Sequence, residues 1–223
     1  MKLGTAKLVD DAIFERVSKV KSRDYLGASI LGYECDRQIW YMYKKPKATT
    51  DPRINRIFEF GHMLEDYVVK ILRDSGLTVH CEDANGEQFG FTDGNIAGHI
   101  DGVITGLPES SAPHLLEIKS ANDARFKQFV KNGCRETQIS YWAQCQIYMH
   151  KFNLSRCLFV VINKNTSELY YERIEYSKKI AELYMTRGHS IEEATEEPMR
   201  KYNKSTHFKC RFCDYNKECW DVD

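Results

Sequence analysis

Hydrophobic and polar positions follow a helical spacing at the start of the chain and a shorter, strand-like alternation in its middle. The helical spacing predicts three helices, over residues 6–21, 29–45 and 53–74. Ser29 is the expected cap of the second helix, and Ser75-Gly76 ends the third. The alternation predicts strands that are separated by turn residues, at residues 77–81, 87–91, 95–105 and 114–120.

Helical patterns return at residues 122–131 and 135–150, followed by strands at residues 157–162 and 168–176. A last helix is expected from Ser177 to about residue 197. Strands with helices on both sides in the sequence predict an α/β fold in which helices pack against one mixed sheet. The final stretch HFKCRFCDYNKECW is too short and too rich in cysteine to form an ordinary element.

The composition is that of a globular protein, with 42% hydrophobic and 12% aromatic residues. No apolar run reaches the roughly 18–20 residues that span a bilayer. Acidic residues stand where a secretory signal would have its apolar core. The chain has no G-x-x-x-x-G-K-[ST] phosphate loop, which excludes an ATP-driven motor. We therefore expect a cytoplasmic protein that acts without a membrane and without ATP.

The net charge of zero conceals blocks of opposite sign. Residues 1–56 carry 12 basic and 7 acidic side chains, residues 57–118 carry 2 and 11, and residues 119–164 carry 8 and 2. An acidic block between two basic blocks suits a cation-binding centre that is flanked by a surface for a polyanion. The alternative is uneven sampling of solvated faces.

Two acidic residues and a lysine stand at the ends of neighbouring predicted strands. Glu117 and Lys119 are two positions apart and therefore share one face of their strand. Asp101 lies on the preceding strand, which we expect to form a hairpin with the next across residues 106–113. Two carboxylates brought together repel unless a cation lies between them, and hard oxygen ligands suit Mg²⁺ or Mn²⁺. The alternative for Glu117 and Lys119 is a salt bridge on an edge strand.

Asp101 followed by Glu117-x-Lys119 resembles the catalytic core of the PD-(D/E)XK nuclease superfamily, and within it the RecB-like exonucleases. Two further motifs match in the same order. Residues 61–65 (GHMLE) resemble the family motif G-H-x-x-E, and residues 144–148 (QCQIY) match its motif Q-x-x-x-Y. The chain is thus similar to CRISPR-associated RecB-like exonucleases and to recombination exonucleases of phages.

The resemblance implies a restriction-endonuclease-like mixed central sheet flanked by helices, and a metal-dependent DNA exonuclease that uses a metal-activated water. The implied ligands of Mg²⁺ or Mn²⁺ are His62, Asp101, Glu117 and the carbonyl of Ile118. The implied catalytic residues are Asp101, Glu117, Lys119, Gln144 and Tyr148, of which the last two also contact DNA. One departure from the pattern is Ile100, which replaces the proline before Asp101. Taken alone, His62 could be an ordinary helix histidine, and Gln144 and Tyr148 could simply share a helix face.

Eight cysteines are many for a reducing compartment, so we expect those that cluster to bind metal. Cys210-x-x-Cys213 has a metal-binding spacing, and Cys219 follows closely. The resemblance to the family's iron–sulfur branch implies that these three and Cys35 hold a 4Fe-4S cluster. Zinc held by the same three cysteines and His207 is the alternative that the spacing leaves open. The others are expected to be buried apolar thiols, namely Cys81, Cys134, Cys145 and Cys157.

Aromatic and basic residues near the first cluster cysteine, namely Arg37, Trp40 and Tyr41, are candidates for holding single-stranded DNA. The alternative is a helix that packs its aromatic rings inward, which we favour for Trp40. We expect one nuclease domain over residues 1–223, in which residues 1–56 carry Cys35, residues 57–198 form the nuclease core and residues 199–223 bind the cluster. The resemblance implies action on single strands or DNA ends in recombination, repair or CRISPR adaptation, with proteins of those processes as partners. A DNA-binding module that keeps the fold and the cluster without catalysis is the alternative function.

Overall fold

The structure, a computed structural model, describes residues 4–19, 23–47 and 51–220. Its helices are α1 (Gly4–Ser18), α2 (Asp36–Lys44), α3 (Pro52–Asp74), α4 (Asp123–Thr137), α5 (Ile139–Lys151), α6 (Lys178–Glu193), α7 (Phe208–Arg211) and α8 (Asn216–Trp220). Its strands are β1 (Leu26–Gly27), β2 (Thr78–His80), β3 (Gly90–Asp93), β4 (Ile96–His99), β5 (Gly102–Thr105), β6 (His114–Ala121), β7 (Arg156–Asn163) and β8 (Leu169–Glu175).

Five strands form the central sheet, in the order β2-β5-β6-β7-β8. β6 and β7 are parallel, and α4 and α5 make the crossover that a parallel pair requires. The other neighbours in this sheet are antiparallel, and β5 and β6 form the predicted hairpin with Gly102 opposite Leu116. The expected α/β fold, with a mixed central sheet flanked by helices, is confirmed.

Three strands form a small second sheet in the order β1-β4-β3, so the prediction of a single sheet is wrong. The strand predicted over residues 95–105 is interrupted at Ile100 and Asp101, and only its second half, β5, joins the central sheet. Neighbouring chain holds the interruption in place. The Ile100 N–H donates to the carbonyl of Phe89 at 3.0 Å, and the Gln88 side chain donates to the carbonyl of Ile100 at 3.1 Å.

The core lies on both faces of β6 and β7, as expected for parallel strands covered by helices. On one face, Leu116 and Ile118 pack with Val68 and Leu72 of α3. On the other face, Leu115 belongs to the larger cluster, to which α4 and α5 contribute. Because side chains alternate along a strand, the odd-numbered residues of β6 point toward α4 and α5.

The N-terminal helices differ from the predicted ones. The helix predicted over residues 6–21 is α1, and residues 20–22 lie outside the described part of the chain. Ser29 lies inside a short 3₁₀ helix, and α2 begins only after Cys35. Between them Gly32 packs directly on α5, where a β-carbon would lie 2.5 Å from the Ser140 Cα.

Two later boundaries also differ. α4 continues to Thr137 across a kink at Gly133, whose φ of +76° favours glycine. α6 ends at Glu193, before the predicted residue 197, and the carbonyl of Ala194 accepts a hydrogen bond from the Trp40 indole at 3.0 Å. Among the described helices, none is both long enough and apolar enough to cross a membrane.

Candidate active site and cysteine cleft

The candidate active site begins where β5 and β6 separate. Their pairing starts at Gly102, and Asp101 lies one residue before it, at the strand interruption. Asp101 Oδ2 accepts a hydrogen bond from the backbone N–H of Ile118 at 2.7 Å. Because the N–H and C=O of a strand residue point to the same edge, the Ile118 carbonyl is also directed toward Asp101. The hairpin thus brings two of the predicted ligand groups together.

Glu117 lies opposite this point on β6 and is fully buried. Lys119 Nζ forms an ion pair with Glu117 Oε1 at 2.5 Å. The second carboxylate oxygen, Oε2, has neither an ion-pair nor a hydrogen-bond partner within the described residues. A buried carboxylate oxygen without a partner is costly. Such an oxygen fits a hard divalent cation, for which carboxylates are preferred ligands.

Burial is the largest influence on the pKa values of the two carboxyl groups in the site. It raises the pKa of Glu117 to about 8, and the negative charge of Asp101 acts in the same direction. Burial also raises the pKa of Asp101, although the charge of Lys119 opposes it. For Lys119, burial favours the neutral amine, but Glu117 and Asp101 together hold its pKa well above the usual value. The lysine therefore stays charged, while the carboxylates need a further positive charge to ionise fully.

Tyr141 of α5 completes the environment of the lysine. Lys119 Nζ lies 5.3 Å from the centroid of the Tyr141 ring, within the range of a cation–π interaction. Phe129 of α4 stacks behind this ring at 6.5 Å, with 7° between the planes. The sequence did not predict the role of Tyr141, because its approach to the lysine depends on the path of the α4–α5 crossover.

α5 also carries the two residues of the Q-x-x-x-Y motif, and both are buried. The Tyr148 ring packs on the small sheet, where a β-carbon at Gly98 would lie 2.8 Å from Tyr148 Cε1. Burial raises the pKa of Tyr148, and the charge of Glu117 acts in the same direction. Gln144 lies one turn before Tyr148 on the same helix. Their contact with DNA stays a prediction.

His62 lies on α3 with a side chain that is 76% exposed, and its Nδ1 is 3.2 Å from Glu65 Oε2. Both residues line a cleft of roughly 830 Å³ together with Asp101. No three His, Cys, Asp or Glu side chains in the described residues are arranged as a metal site, so ligation by His62 stays a prediction. We call this cleft the acidic cleft, since its charged lining is Glu65, Asp66, Asp74, Glu82, Asp83 and Asp101 with Lys70 and Arg73.

The four predicted cluster cysteines line one cleft of roughly 1070 Å³, which we call the cysteine cleft. Cys35 lies at the N-terminus of α2, and Cys210, Cys213 and Cys219 belong to the C-terminal segment with α7 and α8. The structure thus places cysteines from the two ends of the chain at one cleft, but among the described residues no three of them are arranged as a metal site, so the cluster stays a prediction. All four are free and partly exposed.

His207, the fourth ligand of the zinc alternative, has other contacts. Its Nδ1 accepts a hydrogen bond from the backbone N–H of Lys209 at 3.2 Å and so caps α7. Its ring stacks on Tyr202, with 3.9 Å between the centroids and 13° between the planes. These contacts favour Cys35 over His207 as the partner of the three C-terminal cysteines.

Of the remaining cysteines, Cys134, Cys145 and Cys157 are buried, as predicted. The prediction is wrong for Cys81, which is partly exposed and lines the acidic cleft. It follows the short strand β2 at the edge of the central sheet, and Arg73 Nη2 lies 3.7 Å from its sulfur. An alternating strand pattern cannot reveal that a residue lies at the edge of a sheet.

The three residues proposed to hold DNA from α2 are engaged inside the protein. Arg37 Nε donates to the carbonyl of Pro198 at 2.6 Å, and its Nη1 lies 3.1 Å from Glu197 Oε2. Tyr41 is buried and stacks on Tyr215 at 5.3 Å, and Trp40 is buried as favoured above. In this arrangement they fasten the C-terminal segment to α2, and their contact with DNA stays untested.

Among solved structures, an alkaline exonuclease from Laribacter hongkongensis, LHK-Exo, has a similar fold. The TM-score is 0.55 at 16% sequence identity, over 81% of this chain and 90% of that chain. The crystal structure of SSO0001 matches with a TM-score of 0.52 at 15% identity, over 96% of this chain and 94% of that chain. No family model matches the sequence, and no curated protein matches it. At these identities the likeness establishes the fold alone.

Proposed function

We propose that the protein is a metal-dependent DNA exonuclease whose centre is Asp101, Glu117 and Lys119. The observation that carries this proposal is Glu117, a fully buried carboxylate whose Oε1 pairs with a charged lysine and whose Oε2 has no partner within the described residues. Such a group is poorly stabilised in the free protein and well suited to a hard cation. The fold, which is similar to that of an alkaline exonuclease, supports the same class of enzyme.

The residues of this chain divide the work of phosphodiester hydrolysis. Asp101, Glu117 and the carbonyl of Ile118 would hold Mg²⁺ or Mn²⁺, and His62 is the proposed further ligand. A bound divalent cation lowers the pKa of a water nucleophile and offsets the charge of the phosphate. Lys119 remains protonated and presents its ammonium to the negative charge that develops on the phosphate. The Tyr141 ring positions that ammonium.

A 4Fe-4S cluster on Cys35, Cys210, Cys213 and Cys219 is the second part of the proposal. Four soft sulfur ligands that line one cleft support it, and the engagement of His207 weighs against the local zinc site. The cluster would tie the two ends of the chain together around the core. Its role is structural, since hydrolysis needs no redox centre.

DNA and, by resemblance, proteins of recombination or CRISPR adaptation are the proposed partners. The test is release of nucleotides from end-labelled single-stranded and double-stranded DNA by purified protein, with Mn²⁺, with Mg²⁺ or with EDTA. We expect cleavage that requires the divalent cation. Binding of DNA without any cleavage under saturating Mn²⁺ would instead support a non-catalytic DNA-binding module.

A further inference from the structure

We infer that the cysteine cleft also binds a single strand of the DNA that the protein cleaves. In this inference Phe208 and Phe212 stack on the bases, while Arg125, Arg135 and Lys201 contact the phosphates. The inference rests on the proposed function and adds to it the surface that selects an unpaired strand. It assigns the DNA contact to these residues and not to the basic and aromatic residues of α2, which make contacts inside the protein.

The aromatic part of this surface is the face of α7. Phe208 and Phe212 are each 70% exposed, and their ring centroids lie 5.2 Å apart at 67°. Both rings line the cleft, and they contact each other at an exposed part of the molecule. Exposing two large rings side by side is unfavourable in water, so it indicates a ligand with apolar flat faces. Unpaired bases are such ligands, and they stack on aromatic side chains with little dependence on sequence.

The charge of the cleft matches a polyanion. Its lining includes five cationic side chains and two acidic ones, of which Arg37 pairs with Glu197 and Lys209 pairs with Glu34. Arg125 donates to the neutral amides of Gln128 and Gln138, and Arg135 lies 4.8 Å from the centroid of the Trp142 ring. These contacts orient the two guanidinium groups without cancelling their charge. By contrast, the acidic cleft is lined by six acidic and two cationic side chains, which repel phosphate and attract a metal ion.

The cleft extends to the start of the helix that carries Tyr141. Gln138 and Ser140 line it at the start of α5, and Tyr141, which contacts Lys119, is the next residue of that helix. Arg125 is held at the same place by its hydrogen bond to Gln138. A strand bound along the rings of α7 and the start of α5 would therefore lie near the helix that positions the lysine. The cation and the DNA would then be bound in different clefts.

The test measures the binding of a fluorescein-labelled oligothymidylate by fluorescence anisotropy. The measurement is made in EDTA so that cleavage does not interfere. We expect Phe208→Leu and Phe212→Leu each to weaken binding by about tenfold, the scale of one lost base–aromatic stack. The matched control is Phe14→Leu, which changes another exposed phenylalanine, on α1. Lys201→Ala should lower the slope of log affinity against log salt by about 0.7, whereas Lys179→Ala on α6 should leave it unchanged. Iron content and thermal unfolding must match the wild type in every variant that is compared. If a leucine variant fails this check, Phe208→Tyr is measured in its place. The tyrosine variant keeps an aromatic ring and should retain binding.

Binding losses in the cleft variants with unchanged controls would support the inference. Equal affinity of the cleft and control variants, in a wild-type protein that cleaves DNA with Mn²⁺, would overturn the inference and leave the proposed function standing. A wild-type protein that binds the oligonucleotide through these residues but never cleaves would overturn the proposed nuclease and keep the surface. Tighter binding of a blunt duplex than of oligothymidylate would also overturn the inference, because paired bases cannot stack on the rings.

Discussion

The acidic cleft and the cysteine cleft differ in charge, in ligand chemistry and in the way the chain builds them. The first has hard oxygen donors and a strongly acidic lining, and the second has four thiols and a basic lining. The carboxylates come from neighbouring strands, 16 positions apart in sequence, and their meeting is fixed by the register of one hairpin. Cys35 and Cys210 are 175 positions apart and line the same cleft only when the C-terminal segment has packed on α2.

Substitutions in the two clefts should therefore have different effects on activity and stability. Loss of a carboxylate should abolish catalysis while the fold remains intact, because burying the carboxyl groups of Asp101 and Glu117 destabilises the metal-free protein. Loss of a cysteine should loosen the ends of the chain and reduce activity indirectly. The predictions below test that separation.

The largest expected effect is on catalysis by Asp101→Ala or Glu117→Ala, each of which should abolish cleavage. The loss should exceed the roughly 10²–10³-fold cost of removing a single preorganised charge, since a metal ligand is lost. Thermal stability without metal should hold or rise. The assay is nucleotide release under saturating Mn²⁺, with Asp83→Ala as the control for an exposed acid of the same cleft. Near wild-type cleavage by either alanine variant would show that the site is assigned to the wrong residues.

Lys119→Ala should lower turnover by about 10²–10³-fold with little loss of DNA binding, because its ammonium acts on charge that develops during the reaction. Lys119→Arg should rescue only in part, since a planar guanidinium does not replace a compact ammonium above the Tyr141 ring. Single-turnover rates and binding affinities measured on the same samples separate the two effects. Parallel losses in rate and binding would reduce Lys119 to a phosphate contact.

Cys35→Ser and Cys213→Ser should lose the same metal and be destabilised to the same extent. A cross-link that closes so long a loop stabilises on the scale of about 5 kcal/mol. His207→Ala is the control, and it should keep its metal. Protein purified without oxygen should contain roughly four irons per chain and absorb broadly near about 400 nm. Zinc without iron, together with a Cys35→Ser protein that keeps its metal, would favour the local zinc site.

A further expected effect is a pH dependence of stability in the metal-free protein. The pKa of Glu117 is near 4.5 in the unfolded chain and is raised by burial to about 8 in the folded protein. The folded state therefore binds more protons between these values, and the free energy of unfolding should fall as the pH rises from about 4.5 to 8. Lys119 acts only above its usual value of 10.5, outside this window. Urea unfolding in EDTA at several pH values should show a shallower fall for Glu117→Gln, and identical slopes would contradict the raised pKa.

The acid site was largely predictable because it depends on local rules. Period-two alternation puts Glu117 and Lys119 on one face, and the hairpin brings Asp101 beside them. The sequence did not reveal the interruption at Ile100, since the residues that hold it come from a neighbouring segment and use backbone hydrogen bonds. The contact of Tyr141 with the lysine could not be predicted either, because it requires the complete α4–α5 crossover.

The residues of α2 show what the sequence could not predict. Arg37 and Tyr41 have the composition of a DNA-binding patch, yet the C-terminal segment covers them. A pattern confined to one helix carries no information about a segment that returns from the far end of the chain. The fold class and the proximity of the two carboxyl groups could therefore be predicted from the sequence. Which side chains of a helix are exposed depends on tertiary packing and could not.

The central claim is that the buried carboxylate of Glu117 binds a divalent cation, and a thermal-unfolding titration with Mn²⁺ tests it most directly. At 100 times the dissociation constant, binding to the folded state alone adds about 2.7 kcal/mol, which corresponds to a rise of roughly 5–10 °C for a chain of this size. We predict that rise for the wild-type protein at pH 8 and none for Glu117→Gln. An equal rise in both proteins, or none in the wild type, would contradict the account.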